Sequence, residues 1–169
     1  MRLYSAKIPK LAQEMVTALT EKGDIEAGSP KEVQLDIEAV LSQYAKDEQD
    51  ASDRAKEIMA QRGLPQTEFA RIKKLAADER KLKVGDDAID YILDQLVEML
   101  MHSANVDEIF SEDHVLRKKM RDPLRKYAAQ DDELQAEVRA QLKHVKEGTS
   151  MWEVEYRRMM DDLKRRKGL

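Results

Sequence analysis

The sequence contains no cysteine. That excludes disulfides, thiolate nucleophiles and cysteine-ligated metals, and it fits a reducing compartment. Six glycines, four prolines and 5% aromatic residues are few for 169 positions. Their scarcity argues against a turn-rich β architecture and for long helices. No segment approaches the roughly 20 apolar residues that span a bilayer. The N-terminal Met1-Arg2-Leu3-Tyr4-Ser5-Ala6-Lys7 has no apolar run before a cleavage site, so a cytoplasmic location without a signal peptide is expected. Gly-x-Gly-x-x-Gly, Walker and Gly-x-Ser-x-Gly patterns are absent, which leaves nucleotide and hydrolase chemistry without support. His102, His114 and His144 have no second histidine at ligand spacing and read as surface or loop residues, so no metal and no cofactor is expected.

What is present is a high charge content, 38%, beside 41% hydrophobic residues. The apolar fraction is enough to form a core. A net charge of -4 disfavours a generally basic nucleic-acid binder but allows local patches.

The apolar pattern is written twice. At a shift of 81 positions Leu3 meets Val84, Ile8 meets Ile89, Leu11 meets Ile92, Met15 meets Leu96, and Leu19 meets Leu100. Beyond the next loop the shift becomes 83, and Val33 meets Leu116, Ile37 meets Met120, Leu41 meets Leu124, and Tyr44 meets Tyr127. Two residues added to a loop explain the change, because loops tolerate insertion cheaply. Each copy reads as a short, a long and a short helix.

In the first copy, Ser5 starts a helix with Pro9 in its first turn and Gly23 beyond its end. Ser29-Pro30-Lys31-Glu32 reads as a capping box with proline at the first helical position, opening a helix that stops at Gly63. Its middle, Lys46 to Asp50, is wholly polar, which fits a stretch facing solvent, a stretch touching a partner, or a kink. A third helix runs from about Gln66 to Arg80. In the second copy Asp86 opens a helix to about His102. A long helix runs from Ser111 or Glu112 to about Lys146, with a kink expected at Pro123. The last helix carries Trp152, Tyr156, Met159, Met160 and Leu163.

The expected fold is all-α: two fused short–long–short repeats, residues 1–80 and 81–169, packed as one helix bundle about a pseudo-twofold axis. If each long helix buries some five large side chains at about 2 kcal/mol each, the pairing contributes about 10 kcal/mol before entropy.

Two basic runs are candidates for phosphate contact. Arg117, Lys118, Lys119, Arg121, Arg125 and Lys126 lie on the second long helix, and Lys164, Arg165, Arg166 and Lys167 close the chain. The first run has no basic counterpart between Glu32 and Ile37, and the plainer reading of both runs is a solvated face interleaved with acids. Asp86-Asp87, Asp131-Asp132-Glu133 and Asp161-Asp162 read as solvated carboxylates, because neighbours on a helix point about 100 degrees apart and make no acid–base dyad. Met99, Met101, Met159 and Met160 suit either an adaptable groove or a core.

Met1-Arg2-Leu3-Tyr4-Ser5, Gly23-Asp24-Ile25-Glu26 and Ser29-Pro30-Lys31-Glu32-Val33 resemble the bacterial domain-of-unknown-function family 507, in two tandem copies. The resemblance implies no activity and assigns no functional residue. The expected role is a non-enzymatic interaction or scaffold module for a protein partner, as a monomer or homodimer. The alternative is a nucleic-acid-associated protein using the basic runs.

Overall fold

Leucine, isoleucine and methionine at three- and four-residue steps set the first helix, α1 (Ile8–Thr20), which a single 3-10 turn at Ser5–Lys7 precedes. Pro9 sits in its first turn, where a missing N–H costs nothing. Gly23 adopts φ +72, a left-handed conformation cheap for glycine, and the Asp24 amide donates back to the Leu19 carbonyl at 3.1 Å. The computed structural model describes residues 1–168, nearly all of the chain.

The second helix, α2 (Pro30–Arg62), is 33 residues long and stops at Gly63, where φ is 60. Its start departs from the expected capping box. The Ser29 side chain makes no capping bond; the Ser29 carbonyl instead accepts from the Glu32 amide at 3.1 Å. Ser29 and Glu32 are both exposed, so water can serve the remaining amide donors. The short α3 (Phe69–Glu79) folds back along the distal half of α2.

Then come α4 (Ala88–His102), α5 (Asp113–Gln141) and α6 (Ser150–Arg166). The α5 helix runs through Pro123 as one element and ends five residues short of the expected Lys146. In α6 the Thr149 hydroxyl accepts from the Trp152 amide at 3.2 Å, a side-chain cap. Two two-residue strands, β1 (Ile25–Glu26) and β2 (Glu108–Ile109), pair antiparallel with Ile25 opposite Ile109 and Glu26 opposite Glu108. Phe110, just after β2, is exposed.

Helix α1 packs on α2 and α5, and α4 packs on α5 and α2. The largest core draws from both halves of the chain, with Met15, Leu19, Ile37 and Leu41 beside Ile92, Leu96, Met120 and Leu124. Two smaller cores lie apart from it. One holds Ala55, Met59 and Ile72 between α2 and α3; the other holds Leu134, Val138, Leu142, Met160 and Leu163 between α5 and α6. Val33, Ile37, Leu41, Glu48, Ala51, Ala55 and Met59 are buried on α2, and so are the residues 83 positions later, six on α5 and Leu142 just beyond its end. The two hairpin loops touch where Gly148 (φ +86) lies against Gln66, and a Cβ on Gly148 would come within 2.9 Å of the Gln66 Cβ.

One residue of the polar middle of α2 turns inward, while Lys46 is exposed and Asp47, Gln49 and Asp50 are partly so. Glu48 is 5% exposed and meets the Lys73 ammonium of α3, while the Ser52 hydroxyl donates to the same Glu48 oxygen at 3.4 Å. Burial of the pair lets α3 cover this stretch of α2.

Candidate phosphate-contact surface

The first basic run divides into residues turned into the bundle and residues left outside. Arg117 bridges Asp113, one turn back, and Asp94 of α4, each at 2.6 Å. These bonds, Asp113 first, hold its guanidinium even further above the usual arginine range. Lys119 pairs with the buried Asp24 in the loop after α1, and Ser111 donates to the same carboxylate at 2.6 Å. Burial acts to raise the Asp24 carboxyl, but the bonds from Lys119 and Ser111 outweigh it and hold the carboxyl below its ordinary value. Arg121 reaches Asp90 of α4 at 3.3 Å. Three members of the run therefore tie α5 to α4 and to the first loop. Lys118, Arg125 and Lys126 are exposed and, among the described residues, meet no carboxylate at ion-pair distance.

The second run divides in the same way. Arg165 pairs with Asp162 at 3.3 Å and Lys167 with Glu137 at 2.7 Å, while Arg166 is exposed. Lys164 is half-buried, its ammonium 2.7 Å from the centroid of the Tyr4 ring, a cation–π arrangement. Burial pushes its amine down to about 8, against the pull of Asp131 and Asp161.

The two runs meet in a cleft of about 100 Å³ between α1, α5 and α6. Lys126 comes from the first run and Lys164 from the second; Lys7 and Lys10 of the first helical segment join them. Leu11, Leu134, Tyr4 and Tyr127 supply apolar wall. The Tyr127 hydroxyl accepts from the Tyr4 amide at 3.0 Å and donates to the Arg2 carbonyl at 3.1 Å, which fixes the N-terminal segment against α5.

Asp131 also lines this cleft, and here the structure corrects the sequence. Asp132 and Glu133 are exposed as expected, but Asp131 is 3% exposed. Burial raises its carboxyl, against Tyr4, Gln135 and Lys164, which act to lower it. The Gln135 amide donates to Oδ2 at 2.7 Å. The Tyr4 hydroxyl is close by without reaching hydrogen-bond geometry, and Oδ1 has no hydrogen-bond partner among the described residues. The signal for this burial is the stripe itself. Leu116, Met120, Leu124, Asp131, Leu134 and Val138 keep helical register, so Asp131 occupies an inward position, as Glu48 does between Leu41 and Ala51.

The methionines do not form a shared groove. Met99 packs on the main core, Met159 and Met160 on the α5–α6 core, and Met101 is exposed. His102 lies beside Glu98 at 3.0 Å and His114 beside Glu112 at 3.3 Å, all exposed. Among the described residues no three His, Asp or Glu side chains are grouped to hold a metal ion, and no helix is long and apolar enough to cross a membrane.

The structure is thus that of an all-α helix-bundle protein with ion-paired basic helices and one lysine-rimmed cleft. A family model described as protein of unknown function (DUF507) matches residues 1–169, and the chain belongs to that family. The match spans the chain as one unit rather than each half separately, in place of the tandem pair of family domains expected from the sequence. A comparison with curated proteins gave no match.

Proposed function

We propose that this protein is a non-enzymatic helical interaction module that engages a protein partner in the cytoplasm. The observation that carries the reading is on α6. Met151 and Val154, three residues apart and so neighbours on one helical face, are 68% and 65% exposed. The inward side of the same helix is already used by Met160 and Leu163 in the α5–α6 core. Adjacent exposed apolar side chains beside a satisfied core support reading this face as a contact surface. The test is affinity capture from the native cell, read by mass spectrometry, with wild-type protein and Met151→Glu/Val154→Glu. A partner retained by wild type and lost from the variant supports the reading. Equal retention, or no enriched protein, defeats it.

The same reading takes the chain as two short–long–short units, 1–80 and 81–169, fused about a pseudo-twofold axis. Reciprocal contacts support it. The Tyr44 hydroxyl donates to the Lys83 carbonyl at 3.1 Å, and Tyr127, 83 positions after Tyr44, bonds Arg2, 81 positions before Lys83. The crossed pairing of the two short strands has the same reciprocal form.

A second reading, nucleic-acid association, rests on Lys118 and Arg125. Both are exposed and lie seven residues apart, about 10 Å along one helix face. Retention on DNA or RNA that falls steeply with salt supports it; no retention at low salt removes it.

A further inference from the structure

Each long helix buries one carboxylate at its middle, and the two are 83 positions apart: Glu48 on α2 and Asp131 on α5. Their surroundings differ. Glu48 is closed off by the Lys73 ammonium. Aspartate is one methylene shorter than glutamate, and Lys164 of the cleft lies over the Tyr4 ring and forms no ion pair with Asp131. The result is a cleft of about 100 Å³ lined by Asp131, whose Oδ1 is almost wholly buried, lies near the Tyr4 hydroxyl and has no hydrogen-bond partner among the described residues. A buried acceptor of this kind is costly unless something donates to it.

The lining specifies what that donor brings with it. Lys7, Lys10, Lys126 and Lys164 outnumber the carboxylates, Asp131 and Glu14, so an anion is favoured at the mouth. A cationic donor would face four ammonium groups, so a neutral hydroxyl is the better match for Asp131. Leu11 and Leu134 suit a short carbon skeleton. The volume is below that of the ~150 Å³ cavities that accept benzene, so the inserted part is small.

We propose that this cleft binds a small hydroxylated organic anion. Its hydroxyl donates to Asp131 Oδ1, its carbons lie against Leu11 and Leu134, and its phosphate or carboxylate meets Lys7, Lys10 and Lys126. This assignment is independent of the protein-partner reading of α6 and concerns a different face.

The test is a titration of the full chain, amide by amide, by NMR at low salt. The probes are glycerol 3-phosphate and glycerate, with inorganic phosphate and glycerol as the two halves. At least one hydroxylated anion is expected to give saturable shifts at Tyr4, Leu11, Tyr127 and Asp131, and to bind at least tenfold tighter than either half. Which of the two binds tighter separates a phosphate from a carboxylate site. Asp131→Ala is expected to weaken the hydroxylated anion about tenfold and leave inorganic phosphate unchanged. Lys126→Gln is expected to weaken both. The comparison of whole probes with their halves uses wild-type protein alone, so it stands if Asp131→Ala fails to fold. No saturable shift up to 20 mM, as for a cleft filled by water, overturns the proposal. So does inorganic phosphate binding as tightly as both hydroxylated anions.

Discussion

The Tyr127 hydroxyl donates to the Arg2 carbonyl at 3.1 Å, across 125 residues of sequence. The same oxygen accepts from the Tyr4 amide, so one phenol serves two backbone groups of the N-terminal segment. Tyr44 serves one, the Lys83 carbonyl. The Tyr4 amide and the Lys83 carbonyl bonds are partly buried and the Arg2 carbonyl bond is exposed, and leaving a buried backbone group unpaired costs about 1–3 kcal/mol. Urea unfolding is expected to show Tyr127→Phe less stable than Tyr44→Phe, and both less stable than wild type. Equal midpoints for all three would remove these bonds from the account of stability.

The Asp24–Lys119 pair predicts an acid-dependent component of stability. The folded carboxyl titrates below its unfolded value of about 3.9. The stabilisation is therefore complete above about pH 4 and is lost as pH falls through the folded value. Asp24→Asn is expected to be less stable than wild type at pH 7, with the gap narrowing as the pH drops below about 4. Urea midpoints measured from pH 7 to pH 3 check this.

Glu48 and Lys73 make the case for a matched substitution. Lys73→Met leaves a carboxylate buried without its partner and is expected to cost about 3 kcal/mol. Replacing both residues, Glu48→Leu with Lys73→Met, is expected to recover most of that loss, because no charge then remains to be solvated. A double-mutant cycle by chemical denaturation reads the difference.

The alkaline limb contains two opposing contributions. The Lys164 amine, at about 8, is protonated in both states below that pH, so its burial cost is complete there. Between about 8 and 10.4 the unfolded chain holds a proton that the folded chain lacks, and stability rises with pH. The phenols of Tyr4, Tyr44, Tyr127 and Tyr156 are all raised, chiefly by burial, so their contribution is present below about pH 10 and is lost above it. Wild type is expected to gain stability relative to Lys164→Met between pH 7 and pH 10. Above that range tyrosinate absorbance is expected to appear together with unfolding.

Much of this architecture is legible in local chemistry. Ser29-Pro30 and Gly63 bracket α2 because proline, its preceding residue and a left-handed glycine restrict the backbone wherever they stand. The same cannot be said of the charges. Lys119 in a basic run looks available for phosphate, but its partner Asp24 lies 95 positions earlier and becomes a neighbour only when the first loop folds over α5. Asp131 was hidden by its acidic neighbours, since composition averages over a helix while burial selects one side of it. Pro123 falls inside α5, which continues as one element past it to Gln141. The cleft was invisible for a different reason: it is assembled from Tyr4, Lys7, Lys126, Asp131 and Lys164, which no sequence window contains.

The division of the apolar interior into one large and two small clusters has a thermodynamic consequence. Each small cluster closes a hairpin whose opening leaves the central four-helix packing in place. Amide exchange should therefore fall into tiers, with α3 and α6 opening first and the shared segments of α1, α2, α4 and α5 exchanging only on global unfolding. The chain would then respond to heat or denaturant as a set of cooperative units rather than as one.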